Sequence, residues 1–294
     1  MKSVSHLLLI VFLLISCIRS IDDHSTSFED DVLLPVENII VANQPKLTSH
    51  SNSMSPVVKD RTIRIIHIFV PLCDNKNQGI VPVNASLGNG QNLRTNLYWG
   101  AGYGIKTHFN KSTEWLLIYD TISPDSAVLE RLVFKHFREN VFLIADAFDG
   151  GEMEHCLRSY FRSCAGQNYQ NLIVKKDTIL FGSSSDLLIF NGHNGLMDVD
   201  IEAIYASDSI HRDAVVIACY SHSYFSSHLQ EAGAFPVVCT THLLAPEAYV
   251  AHAICSAWVA KKSTEDVRYV AGEAYHKIQK CGARAADRLF ISGW

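Results

Sequence analysis

Strand-like apolar runs alternate with helix-like segments from Arg64 almost to the end of the chain, and this alternation restricts the fold more than any other feature. The runs Arg64–Leu72, Val141–Ala145, Leu187–Phe190, Ala214–Ala218 and Pro236–Cys239 are short, apolar and partly β-branched, with polar or turn residues after them. Trp115–Tyr119 and Val128–Phe134 read as a further extended pair. Helical patterns occupy Leu93–Phe109, Glu152–Cys164, Ser223–Ala232, Ala245-Pro246-Glu247 to Ala260, and Thr264 to Lys280. Pro246 suits the first turn of its helix, Ser263 caps the next one, and Gly282 ends it. Strands and helices in alternation predict an α/β fold, a three-layer sandwich whose mostly parallel central sheet is covered on both faces.

With 294 residues, 48% of them hydrophobic, the chain supplies a core for one large domain. The net charge is −5 and no basic stripe is present, so nucleic acid is not an expected partner. Met1-Lys2, the apolar Leu7–Ile15 and Ser16-Cys17 describe an export signal, its apolar part too short to span a bilayer. Leu14-Ile15-Ser16-Cys17 resembles a bacterial lipobox, which implies lipidation of Cys17 and membrane attachment through that anchor in the periplasm or cell envelope. The expected organisation is a signal peptide over 1–17, a polar tether over 18–60 with a short strand at Asn38–Val41, and an α/β domain over 61–294.

After Cys17, the cysteines are Cys73, Cys156, Cys164, Cys219, Cys239, Cys255 and Cys281, an odd number. In an oxidising compartment an odd count leaves at least one thiol outside any disulfide, and Cys219 is the candidate. The bland alternative is a small buried apolar residue. Cys156 and Cys164 fall in one helix, about 12 Å apart along its axis, too far to bridge. There is no paired CxxC spacing, and His211, His222, His228, His242 and His252 form no i, i+4 ligand pair, so no metal is expected. Asp146, Asp149, Glu152 and Glu154 read as a strand-end loop leading into the acidic first turn of a helix.

Two strand ends carry chemistry. Leu187–Phe190 runs into Asn191-Gly192-His193-Asn194-Gly195, and Ala214–Ala218 into Cys219-Tyr220-Ser221. In open α/β sheets reactive groups collect beyond the carboxyl ends of neighbouring strands. A cysteine is a strong nucleophile as thiolate, and a nearby imidazole is the usual means of producing one. Gly192 and Gly195 allow close backbone approach beside His193, and a helix start after Cys219 favours negative charge. A third strand end, Cys73-Asp74-Asn75-Lys76, is a candidate pocket wall or a solvated turn. Asn96 to Gly104 is glycine-rich, but no strand runs into it, so tight packing or an aromatic wall is favoured over a phosphate cradle.

Strand-Gly-His-x-Gly followed by strand-Ala-Cys-x-Ser resembles the caspase-like cysteine peptidases, which include metacaspases, clostripain-like enzymes and CHAT domains. Val237 to Thr241, Ala245-Pro246-Glu247-Ala248 and the Ala-rich helix after them are similar to the C-terminal half of CHAT-type sequences. The resemblance covers roughly Arg61–Trp294 in element order and implies a caspase-hemoglobinase-like sandwich. It implies Cys219 as nucleophile and His193 as general acid/base. The oxyanion hole would come from the backbone of Asn194, Gly195 and Cys219. A substrate pocket would involve Asp74, Asn75, Lys76 and Tyr220, Asp74 favouring a basic side chain, Lys76 or Arg94 an acidic one. It implies a protein or peptide substrate and no cofactor. The chain departs from the group where Asn194 intervenes before Gly195, and where apolar Ile217 stands two positions before the cysteine. A binding-only member of the same fold, or a thiol hydrolase or transferase acting on a non-peptide acyl or amide bond, remain open readings.

Overall fold

The computed structural model describes residues 62–175 and 177–294. The export signal, Cys17, the tether and the strand expected at Asn38–Val41 lie outside the described residues. Eight strands form the main sheet: β1 (Arg64–Pro71), β2 (Trp115–Thr121), β3 (Val128–His136), β4 (Val141–Phe148), β7 (Leu187–Asn191), β8 (Arg212–Ile217), β9 (Ala234–Thr240) and β10 (Phe290–Ile291). Their spatial order is β10-β9-β8-β7-β1-β4-β3-β2. From β9 to β4 the neighbours are parallel. Antiparallel strands flank this block, β10 at one side and β3-β2 at the other. A separate two-stranded hairpin, β5 (Tyr169–Val174) with β6 (Asp177–Gly182), packs Val174, Ile179 and Phe181 against Ile65, Val133 and Ile144 of the main sheet.

Both faces are covered, which explains why Val141–Ala145 of β4 and Leu187–Phe190 of β7 read as unbroken apolar runs. Alternate residues of each strand enter opposite layers. On one face Ile66, Ile68 and Val70 of β1, Leu187 and Ile189 of β7, and Val215 and Ile217 of β8 pack with helices α1 (Ile105–Asn110), α4 (Ala248–Val259), α5 (Thr264–Gln279) and α6 (Ala283–Leu289). On the other, Phe69, Leu188, Phe190, Ala214 and Val216 meet α2 (Met153–Cys164) and α3 (Ser221–Glu231). The result is a mixed α/β sandwich around a mostly parallel sheet, with Lys59–Trp294 forming one compact unit.

Several elements depart from the sequence expectation. The helix expected over Leu93–Phe109 is turns followed by the six residues of α1. A Cβ on Gly100 or Gly104 would strike the backbone of Leu93 and Arg94, or of Trp99, so these glycines let the chain fold back on itself. Val141–Ala145 extends through Asp146, which is therefore inside β4 and not beyond its end. Helix α4 starts at Ala248 with Glu247 as its extended N-cap, placing Pro246 before the helix and not in its first turn. Ser263 caps α5 as expected, its side chain accepting the Asp266 N–H at 3.1 Å. Gly282 does not end α5: Lys280 is its C-cap in the left-handed region at φ 56°, and Gly282 is the N-cap of α6.

Candidate functional site

The register of two parallel strands sets the candidate site. Asn191, the last residue of β7, lies opposite Ile217, the last of β8, and the Gly192 N–H reaches the Ile217 carbonyl at 3.2 Å. His193 and Cys219 each follow two residues later, from strands roughly 4.8 Å apart. β1 lies on the far side of β7 and β4 beyond it, so the loops after four parallel strands surround this end of the sheet.

Cys219 is half-buried, and its Sγ lies 3.6 Å from the Leu244 carbonyl, in the loop between β9 and α4. The same loop receives Asn191, whose Nδ2 donates to the Pro246 carbonyl at 2.9 Å. Two tyrosines feel the sulfur. Burial is the largest influence raising the Tyr98 hydroxyl well above its usual range, with Cys73 and Cys219 adding to it. Burial likewise pushes Tyr275 up to about 12, and Cys219 is among the smaller contributors. Tyr220, immediately after the cysteine, is the N-cap of α3 in the left-handed region at φ 50°. That conformation costs of order 1–2 kcal/mol in a non-glycine residue and tends to occur where a site fixes it. Here the Tyr220 N–H is held by the His242 carbonyl at 3.1 Å. Ser221 locks the turn further, its Oγ donating to the Val216 carbonyl at 2.9 Å and accepting the Thr240 N–H at 2.8 Å.

The loop after β7 is built on Asn194. This side chain is fully buried, its Nδ2 donating to the Cys219 carbonyl at 2.6 Å and its Oδ1 accepting the Leu196 N–H at 3.1 Å. Asn194 thus joins the histidine loop to the cysteine loop. Gly195 opens a one-turn 3-10 segment, Gly195–Met197, and a Cβ there would collide with the Met153 side chain of α2. Close packing accounts for glycine at this position. Nε2 of His193 lies 2.8 Å from Oδ2 of Asp198. Asp198 was not singled out by the sequence, because only the 3-10 turn brings it back to the ring.

The Asp74 loop is occupied with itself. Asp74 is buried, its Oδ1 accepting the Lys76 N–H at 2.8 Å and its Oδ2 accepting from Asn77 Nδ2 at 2.7 Å. Asn75 clasps Val83 through Nδ2 to the carbonyl at 2.8 Å and the N–H to Oδ1 at 2.9 Å. Lys76 is exposed. Asp74 and Asn75 therefore serve the turn, and among the four expected pocket residues Tyr220 alone adjoins the cysteine in sequence. The glycine-rich segment is likewise structural: Asn96 is fully buried, with Nδ2 donating to the carbonyls of Cys73 at 2.8 Å and Asn89 at 2.9 Å.

A second polar cluster lies on the sheet face covered by the β5–β6 hairpin, where Arg131 Nη2 also meets Gln170 Oε1 at 3.1 Å. Asp146 accepts from Arg131 Nε and Nη2, both at 2.6 Å, and its Oδ2 lies 2.9 Å from His67 Nε2. All three are buried, and burial drives the His67 pKa down while His67 and Arg131 hold the Asp146 carboxyl below its usual range against its own burial. His67 Nδ1 has no hydrogen-bond partner, as suits a neutral ring with its proton on Nε2.

Among the described residues no disulfide joins the cysteines, no group of three or more His, Cys, Asp or Glu is arranged to hold a metal ion, and no helix is long and apolar enough to cross a membrane. Compared with known proteins, the chain matches no family model, no curated protein and no solved structure.

Proposed function

We propose that this chain is a cysteine peptidase on a caspase-like scaffold, exported and anchored through a lipid on Cys17. Cys219 is the nucleophile and His193 the general acid/base. The Cys219 sulfur attacks a peptide carbonyl as His193 takes the thiol proton. The C–N bond then breaks, the leaving amine receives that proton, and water hydrolyses the thioester to restore the thiol. The observation that carries this reading is the Asn191–Ile217 register, after which a histidine and a cysteine follow at the same distance from adjacent parallel strands. The left-handed Tyr220 and the Asn194 bridge to the Cys219 carbonyl lend further support, since both hold the cysteine turn in one conformation.

A binding-only role on the same scaffold draws on a different observation. Gly195, expected to lend its N–H to the oxyanion, packs beneath Met153 on the α2 side of the sheet. A peptide-library screen separates the readings, with Cys219→Ala as blank. Cleavage by the native chain and not by the blank supports a peptidase. Binding of peptides without cleavage supports the module, and turnover of amide-bearing cell-wall fragments alone supports the non-peptide hydrolase.

A further inference from the structure

Asp198 stands five positions after His193, a spacing that brings two side chains together only if the chain turns back between them. Three hydrogen bonds make it do so. Asn194 Oδ1 accepts the Leu196 N–H at 3.1 Å, the Asn194 carbonyl accepts the Met197 N–H at 3.0 Å, and the Gly195 carbonyl accepts the Asp198 N–H at 3.0 Å. The turn delivers the Asp198 carboxylate to the imidazole, Oδ2 lying 2.8 Å from Nε2. The His193 side chain is only 8% exposed and that of Asp198 23%, so the pair is largely shielded from water. The same Oδ2 accepts the Gly79 N–H at 3.0 Å, from the loop after β1.

From this geometry we infer that Asp198 is a positioning residue for His193, an inference that rests on the thiol chemistry proposed above. An ionised carboxylate only accepts hydrogen bonds, so the ring nitrogen it meets must carry the proton. Asp198 therefore fixes the Nε2–H tautomer and leaves Nδ1 as the lone-pair nitrogen to receive the Cys219 proton. It also stabilises the imidazolium formed when that proton arrives. Asp198 acts through His193, and the Gly79 N–H, bonded to the same carboxylate oxygen, helps hold it in place. A Cβ on Gly79 would strike this carboxylate, so Gly79→Ala disturbs the contact without removing a charge.

The test is nitrogen-15 NMR of His193 in the full chain near pH 8, with kinetics of peptide hydrolysis beside it. The native chain should show the Nε2–H tautomer. Asp198→Ala should show a mixture of tautomers and lose about a hundredfold or more in kcat, with KM changed less than about threefold. Asp198→Glu should restore part of both losses. If Asp198→Ala fails to fold, Gly79→Ala gives the same reading through a partial shift toward Nδ1–H. An Nδ1–H tautomer in the native chain, or a tautomer unmoved by both substitutions, overturns the inference. Tautomer control as described, with no peptide hydrolysed by the native chain, upholds Asp198 as the ring's positioning residue and overturns the peptidase reading instead.

Discussion

Asn194 Nδ2 donates to the carbonyl of Cys219 across 2.6 Å, so one buried side chain ties together the turns that follow β7 and β8. Both partners of such a bond suffer when it is broken, because the orphaned carbonyl stays out of water. Asn194→Ala should lower unfolding stability by about 1–3 kcal/mol, read from the urea midpoint. Asn194→Asp should cost more, since a carboxylate facing a carbonyl offers repulsion in place of a donor. Equal stability of all three proteins would show that the bridge carries no strain-bearing role.

The Arg131–Asp146 pair is buried between the sheet and the β5–β6 hairpin and is bidentate. Removing Arg131 leaves the buried Asp146 carboxylate without its paired charge and with only the His67 hydrogen bond, at a cost of about 3–5 kcal/mol. Arg131→Met should therefore lower the melting temperature sharply, and Arg131→Met with Asp146→Leu should recover much of the loss. Thermal melts of the three proteins check this; a double variant no more stable than the single one would contradict it.

Asp208 receives the Arg212 guanidinium, with Nη1 to Oδ1 and Nη2 to Oδ2 both at 2.8 Å. These contacts hold its carboxyl well below the usual carboxylate range, the hydrogen bonds from Arg212 being the largest cause. A carboxyl depressed by folding adds stability above its unfolded pKa, near 3.9, and loses it as pH falls toward the folded value. Denaturant midpoints of the native chain and Asp208→Asn should differ most near neutrality and converge as the pH drops below about 4. A gap that widens on acidification would show the sign to be wrong.

Gly150 admits no side chain. A Cβ there would lie 2.6 Å from the Leu72 carbonyl oxygen and 2.8 Å from the Gly90 Cα, and these are backbone atoms that cannot swing away. Gly150→Ala should destabilise by about 1–3 kcal/mol and disturb the loops after β1 and β4 together. Hydrogen exchange at Leu72 and Gly90 should rise in the variant, and unchanged protection there would contradict the close approach.

The core of the fold is legible in the sequence because β1, β4, β7, β8 and β9 are buried on both faces and are therefore largely apolar. The β5–β6 hairpin escapes, since its burial alternates weakly and its connection carries no Gly or Asn-Gly signal. Lys175 takes the left-handed conformation there instead, at φ 57°. Strand β10 has two residues, too few for any period to declare itself. At the candidate site, His193 and Cys219 stand out in the sequence because each comes just after an apolar strand-like run. Asp198 is not, because its meeting with His193 depends on an Asn194 turn whose hydrogen bonds no periodicity announces. Asp74 misleads for a related reason: a carboxylate at a strand end looks like a pocket wall, yet its oxygens cap its own loop.

The pairing of His193 with Cys219 is tested most directly by iodoacetamide labelling of the full chain near pH 7, resolved by mass spectrometry at each cysteine. The other thiols serve as internal references: burial pushes Cys73, Cys164 and Cys239 up to about 12, and raises exposed Cys281 less. Cys219 should react at least about tenfold faster than a model thiol, and His193→Ala should erase that advantage. A Cys219 that reacts no faster than a model thiol, or that keeps its rate when His193 is gone, contradicts the account.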